Sequence, residues 1–273
     1  MPELPEVETV VRSLRPKVKD KVIAQVDVIK ERIIANLEAD EFIELLEQKK
    51  ITDVTRTGKY IICHLSNGYY LVVHLRMTGQ FIYQTELETS KYDCFKLCFK
   101  AGDILKLSSK RTFTRAYLVD DLAEAGSLTK IGPEPIADDF SQKDFKELFK
   151  GRRGRIKPLL LNQRFIAGLG NIYVDEALYL AGIHPLRTAD TLKEVELEKL
   201  YTTIVEVLAA GIKNRGTTKW DYVDADGKAG THQNYLKVYD HQGDKCPECE
   251  SEIEKIKVSG RGTYFCPSCQ QEE

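Results

Sequence analysis

The chain reads as an α+β protein, and three observations carry that reading. Residues up to about 130 hold short apolar runs separated by turn signals, the pattern of a β-sandwich or flattened barrel. Residues 136–212 change to apolar repeats at helical spacing. The C-terminal end carries two Cys-x-x-Cys pairs around a short segment of strand character.

The elements follow in order. Leu4, Val7, Val10, Val11 and Leu14 form a helical stripe, so a helix is expected to start just behind Pro2. "KVIAQVDVI" alternates like a strand, and 39–49 has helical character. "KYIICHLSNGYYLVVHLRMTG" reads as two β runs joined at Asn67-Gly68, a strong hairpin signal. Further strands are expected at "FKLCFK", "DILKLSS" and "AYLVD". "GPEP" at 132–135 is turn chemistry and marks the end of the β-rich part. Beyond it Ser141 can cap "QKDFKELFK", which Gly151 ends. Helices are expected around 156–162, at 172–181 closed by Gly182 and Pro185, and at 191–212. The polar, Gly-rich stretch 214–232 reads as a long loop, and loops of that size are usually functional or mobile.

At 273 residues, 42% hydrophobic and 30% charged, the chain can bury a core and make two domains with a small appendage. No stretch approaches the roughly 20 apolar residues of a membrane helix, and Glu3 and Glu6 stand where an export signal would be basic and then apolar. A cytoplasmic protein with no membrane partner is expected. The net charge of −2 gives no overall attraction to an anionic partner. Charge is nevertheless segregated: Lys106, Lys110, Arg111 and Arg115 form one basic run, and Arg152, Arg153, Arg155 and Lys157 another, while acids gather in 38–47, 134–147 and 194–206. Such runs are either solvated faces or patches for an anionic partner.

The most specific motif is Cys246-x-x-Cys249 with Cys266-x-x-Cys269, the spacing that wraps four thiolates around one zinc ion. Four protein ligands leave no open position, so the metal is expected to be structural. It would staple a hairpin at "EIEKIKVSGRGTYF" that is too small to have its own core. Arg261 at its tip is either an ordinary turn residue or a phosphate contact. Cys63, Cys94 and Cys98 follow no pattern and read as buried thiols. In "IKPLLLNQRFIAGLGNIYVDEALYLAGIHP" a Gly-rich turn joins two helices, with Asn171 placed to cap the second and Lys157 nearby. Amide groups at such a helix start can bind an anion. Pro2 is either a residue that merely starts a helix or, once Met1 is removed, a secondary amine able to condense with an aldehydic carbon. An α-amino group titrates near 8, so a usable fraction is unprotonated at neutral pH.

Together "MPELPEVETV", "GKYIICHL", "HLRMTG", "GPEP", the long "IKPLLL…AGIHP" segment and "VSGRGTYFCPSCQ" resemble the formamidopyrimidine-DNA glycosylase family, in register over nearly the whole chain. The resemblance implies a β-sandwich domain with a leading helix over 1–135, a helix-two-turn-helix DNA-binding domain over 136–238, and a zinc finger over 239–273. It implies Pro2 as nucleophile, Glu3 as acid/base, Lys59 near the scissile phosphates and Glu6 in support. His74, Lys157, Asn171 and Arg261 would clamp the DNA backbone. Met77, Arg111 and Phe113 would fill the space left by an extruded nucleotide; without the resemblance Met77 and Phe113 would pass for core residues. An aromatic ring and a thioether can replace lost stacking, and an arginine can hydrogen-bond the orphaned base.

The expected activity is that of a bifunctional DNA glycosylase and AP lyase of base excision repair, with one structural zinc. It would excise oxidised purines (8-oxoguanine and formamidopyrimidines) through a proline Schiff base and nick the strand by β- and δ-elimination. Its partner would be double-stranded DNA with oxidised bases or abasic sites, bound by a monomer. The alternatives are an endonuclease VIII-like glycosylase for oxidised pyrimidines and a non-catalytic damage-binding protein. Three segments depart from the family pattern: "SSKRTFTR" stands for Asp-Pro-Arg-Arg-Phe-Gly, "KYDC" for His-Asp-His, and "NRGTTKW" for a segment with paired glycines. They bear on lesion preference and on the intercalating loop, not on the nucleophile or the zinc ligands.

Overall fold

The computed structural model describes residues 1–272, which group into two compact units. One contains Met1–Thr129 with Ile212–Gln233; the other contains Lys130–Gly211 and the chain from Asn234 onward.

In the first unit, α1 (Leu4–Val18) buries the stripe expected of it, with Leu4, Val10 and Leu14 fully inaccessible. Pro5 is tolerated because the first-turn amide has no helical partner. There follow β1 (Ile23–Val28), α2 (Ala39–Leu46), β2 (Ile51–Thr57), β3 (Tyr60–Leu65), β4 (Tyr70–His74), β5 (Gly79–Gln84), β6 (Asp93–Phe99), β7 (Ile104–Ser109) and β8 (Arg115–Val119). The eight strands make two antiparallel sheets, ordered β1-β6-β7-β5 and β2-β3-β4-β8. Their inner faces share one core with α1 and α2, in which Phe95 lies 5.6 Å from Phe42 and 6.2 Å from Phe81, centroid to centroid.

The expected hairpin at Asn67-Gly68 joins β3 to β4, with Gly68 at φ +86°. Two strands went unforeseen. β2 reads Ile-Thr-Asp-Val-Thr-Arg-Thr and buries only Ile51 and Val54, so it has no apolar run; β5 begins on a glycine next to a strongly turn-forming segment. The polar stretch 214–232 is also no free loop. Tyr222 and Ala225 enter the core, and the Ala225 carbonyl accepts the Tyr83 N–H at 2.9 Å. Residues 212–233 therefore fall inside the range 136–238 of the helical domain but group with the β-rich unit. Cys63 and Cys94 are buried and Cys98 partly so; burial pushes the Cys63 thiol up to about 12.

The second unit holds α3 (Gln142–Phe149), α4 (Ile156–Leu161), α5 (Asn171–Ala181), the start of α6 (Glu194–Lys213) and the hairpin β9 (Glu254–Val258) with β10 (Arg261–Phe265). Ser141 and Asp144 cap α3 reciprocally, and Gly182 closes α5 at φ +74°. α6 starts later than expected because Ala189–Thr191 forms a separate 3-10 turn. Gln163 ties the α4–α5 turn across itself: its Oε1 accepts the Gly168 N–H at 3.0 Å and its Nε2 donates to the Leu169 carbonyl at 2.8 Å. Among the described residues no helix is long and apolar enough to cross a membrane.

Phe95 is fully buried between Phe42 of α2 and Phe81 of β5, so Phe95→Ala should lower stability by about 3–5 kcal/mol, measured as the shift in the urea unfolding midpoint of the whole chain.

Candidate active site and metal centre

The start of the chain is held by α1 and by a segment far along the sequence. Pro2, Glu3 and Glu6 are buried while Met1 is exposed. Glu3 is the N-cap of α1, and Glu6 Oε2 accepts the Glu3 N–H at 2.8 Å as half of a capping box. The other Glu6 oxygen accepts the Thr217 N–H at 2.7 Å. Next to Thr217, Gly216 has φ +77°, and a Cβ there would lie 2.9 Å from Glu6 Oε1, so only glycine fits. Glu6 thus spans residues Glu3 and Thr217 with one carboxylate. Nothing in the sequence announces this partnership; its two members lie 211 positions apart.

Lys59 is buried in the β2–β3 turn, where Gly58 takes φ +57°. Arg56 in β2 ties this turn to α1, donating to Glu8 at 2.9 Å and to the Gly58 carbonyl at 3.0 Å. The register pairs Tyr60 with His74, so Lys59 and His74 lie at the same end of the β3–β4 hairpin. His74 Nδ1 accepts the Arg76 N–H at 3.1 Å, which leaves the ring proton on Nε2 as a neutral donor. Burial, reinforced by the positive charges of Arg76 and Lys59, pushes the His74 pKa down to about 3.

Met77, Arg111 and Phe113 are brought together. They sit on two adjoining loops, β4–β5 and β7–β8, and Arg111 Nη1 lies 3.7 Å from Met77 Sδ. Met77 and Phe113 are 47% and 56% exposed, unlike the core residues their side chains would otherwise suggest. Thr78 Oγ1 accepts the Arg111 N–H at 3.1 Å and Ser109 Oγ accepts the Thr112 N–H at 3.1 Å. Gly79 is required where the loops meet: a Cβ would stand 2.4 Å from the Leu75 carbonyl oxygen.

In the second unit, Lys157, Asn171 and Arg261 gather around the hairpin turn. Asn171 does not cap α5; the N-cap is Gly170, and Asn171 Nδ2 donates instead to the Gly262 carbonyl at 2.8 Å. The helix begins one residue early because Gly170 takes the extended cap conformation without a side chain. Lys157 is fully buried and paired with Asp175 at 2.6 Å. Burial pushes the Asp175 carboxyl up against the opposing pull of Lys157. Asp175 was not singled out from the sequence, although two adjacent acids in the apolar run "NIYVDEALYLA" mark it; its neighbour Glu176 accepts the N–H groups of Lys237, Val238 and Tyr239. Arg261 is exposed.

The four cysteines converge, with all sulfurs within 4.8 Å of one another. Cys246 and Cys269 sulfurs are 3.8 Å apart and those of Cys249 and Cys266 3.4 Å. A tetrahedron of Zn–S bonds of about 2.3 Å has edges of about 3.8 Å, so the donor set fits one zinc ion. The Tyr179 hydroxyl lies 3.2 Å from the Cys246 sulfur, and Tyr179, Val238, Ile253 and Tyr264 pack around the centre.

Two outcomes are expected. One zinc per chain should be found by elemental analysis, and chelation should make the four cysteines reactive toward a thiol reagent while buried Cys63 stays protected; unchanged thiol reactivity would count against the site. The native His74 resists protonation down to about 3 while an unfolded chain takes up that proton below about 6.5, so stability should fall as pH drops. His74→Gln should remove about 2 kcal/mol of the loss between about pH 7 and pH 5, read from urea midpoints.

Comparison with known families follows this geometry along the chain. The formamidopyrimidine-DNA glycosylase N-terminal domain matches residues 1–116, the formamidopyrimidine-DNA glycosylase H2TH domain 131–221, and the zinc finger found in FPG and IleRS 243–271. The formamidopyrimidine-DNA glycosylase of Pelotomaculum thermopropionicum is 45% identical over 99% of both chains. Among solved structures, wild-type Lactococcus lactis Fpg in complex with DNA containing N7-benzyl-Fapy-dG superposes with a TM-score of 0.91 at 39% identity, covering 99% of this chain and 100% of that one. The same enzyme with DNA containing an oxidised pyrimidine gives the same TM-score, identity and coverage. The chain belongs to the formamidopyrimidine-DNA glycosylase family.

Proposed function

We propose that this chain, a DNA glycosylase of base excision repair, removes oxidised purines from duplex DNA through the amine of Pro2 and then nicks the strand as an AP lyase. The observation that carries the reading is the buried Pro2 joined to the Glu3–Glu6 box, which holds an N-terminal residue as firmly as a core residue. Removal of Met1 turns the Pro2 nitrogen into a secondary amine. Its lone pair forms a bond to C1′ of the damaged nucleotide, the glycosidic bond breaks, and the base leaves with the bonding pair. The Pro2 nitrogen gives up its proton to the departing base, and Glu3 delivers a proton to the ring oxygen as its bond to C1′ breaks and the nitrogen lone pair closes the iminium. The cationic iminium acidifies the C2′ protons, and loss of one expels the 3′ phosphate; δ-elimination then expels the 5′ phosphate. Water finally releases the amine.

In this reading Glu6 keeps Glu3 in place, Lys59 lies against the scissile phosphates, and His74, Lys157, Asn171 and Arg261 clamp the backbone. Met77, Arg111 and Phe113 occupy the gap left by the extruded nucleotide, whose unstacking costs a few kcal/mol. The protein would act in the cytoplasm as a monomer, on duplexes with oxidised bases or abasic sites, using 1–135, 136–238 and 239–273 as its functional divisions. An oxidised pyrimidine is the second substrate class, supported by the Lactococcus lactis complex.

Borohydride trapping tests the reading. A covalent adduct should form on duplexes carrying 8-oxoguanine, more slowly on an oxidised pyrimidine, and should vanish in Pro2→Gly or when Met1 is retained. Faster trapping on the pyrimidine duplex would favour the endonuclease VIII-like activity, and tight binding without any adduct would favour a damage sensor.

A further inference from the structure

We propose that Lys157 and Asp175 are a positioning pair for Arg261, and that Lys157 gives none of its charge to a bound phosphate. The inference rests on the duplex-binding reading above and changes the role of one residue within it. The Lys157 and Asp175 side chains are both 0% exposed. The ammonium has three N–H donors, and three acceptors meet it: Asp175 Oδ1 at 2.6 Å, Thr263 Oγ1 at 2.8 Å and the Gly262 carbonyl at 3.3 Å. The second Asp175 oxygen accepts the Tyr264 N–H at 3.1 Å. Asn171 Nδ2 adds a second donor to the Gly262 carbonyl. Apart from the Lys157–Asp175 ion pair itself, every one of these bonds ends on one of the three residues that follow Arg261.

The turn in front of Arg261 needs such support. Ser259 and Gly260 have φ of +48° and +81°, the two-residue turn with both central residues left-handed, and serine is strained there. Arg261 is the first residue of β10 and pairs with Val258. Its exposed guanidinium can address a phosphate reproducibly only if the backbone on its C-terminal side is fixed. The buried pair supplies that fixed point from α4 and α5. A phosphate competing for Lys157 would have to enter a space with no solvent access and strip Asp175 of its counter-charge, which is unfavourable unless a new cation replaces it. A lysine that contacts phosphate from an exposed position would show the opposite arrangement, with donors pointing to water.

The test uses the zinc-loaded full chain and a duplex containing a tetrahydrofuran abasic analogue. Binding is measured over a range of KCl concentrations, because each phosphate neutralised adds about 0.9 to the slope of log affinity against log salt. Arg261→Ala should flatten the slope by about one. Lys157→Met combined with Asp175→Asn, which removes both charges together and so avoids an orphaned buried ion, should weaken binding about tenfold or more and flatten the slope by about one, through the misplaced Arg261 alone. Adding Arg261→Ala to that double variant should cost little further, since the guanidinium is already misplaced; a merely structural lesion would leave the two losses additive. A slope flattened by about one more when Arg261→Ala is added to the Lys157/Asp175 variant, wild-type affinity in that variant, or additive losses would each overturn the proposal. Hydrogen exchange of the 259–265 segment without DNA gives an independent reading. Exchange should quicken in the double variant at unchanged zinc content, and an unchanged rate would also refute the pair. A wild-type chain with no salt-dependent binding would sink the duplex reading, and the exchange measurement would still decide the pair.

Discussion

The first unit depends on one carboxylate. Chain termini fray because few bonds hold them, yet the proposed chemistry needs the second residue placed to within hydrogen-bond accuracy. Glu6 meets the need by accepting one amide from its own helix cap and one from Thr217. The geometry is reinforced from both sides: Gly216 admits the carboxylate without a clash, and the segment 214–232 is itself anchored by Tyr222 and Ala225 in the core. A free loop at 214–232 could not do this.

The three departures from the family pattern are absorbed locally. Where an aspartate would open the β7–β8 loop, Ser109 supplies a hydroxyl that accepts the Thr112 N–H, and Thr78 does the same for Arg111. Thr112 takes φ +50°, unusual for a β-branched residue, and Arg32 meets its hydroxyl. Asp93 of "KYDC" is buried, accepting from Ser108 Oγ at 2.6 Å with Lys96 and Lys106 each 3.7 Å away. In "NRGTTKW" Gly216 stands next to Glu6, and Arg215 pairs with Asp224. Trp220 of the same segment is 89% exposed, an arrangement that nothing inside this unit explains.

What could be read from the sequence was whatever local spacing dictates. The α1 stripe, the Asn67-Gly68 turn, the Ser141 cap, the Gly182 stop and the cysteine spacing each encode their structure within a few residues. What could not be read depends on distant partners. β2 and β5 are strands because neighbours complete their hydrogen bonding, not because of an apolar run of their own. Asn171 has the right chemistry for a cap but is claimed by a carbonyl 91 positions away. Lys157 looks like surface charge in a basic run, and only the fold reveals the aspartate that buries it. Of the candidate sites, the four-cysteine cluster was legible from its spacing, whereas the bonds around Glu6, Asn171 and Lys157 were not.

The burial of Pro2 also bears on timing. An aminopeptidase that takes off Met1 must grip an extended end, including the backbone of the next residues. In the folded chain Pro2 is inaccessible and the Glu3 amide is already engaged. The removal of Met1 that the proposed chemistry requires is therefore easiest before the first helix closes. In the proposed scheme, a molecule that folds with its initiator methionine still attached keeps the reactive nitrogen tied up in a peptide bond.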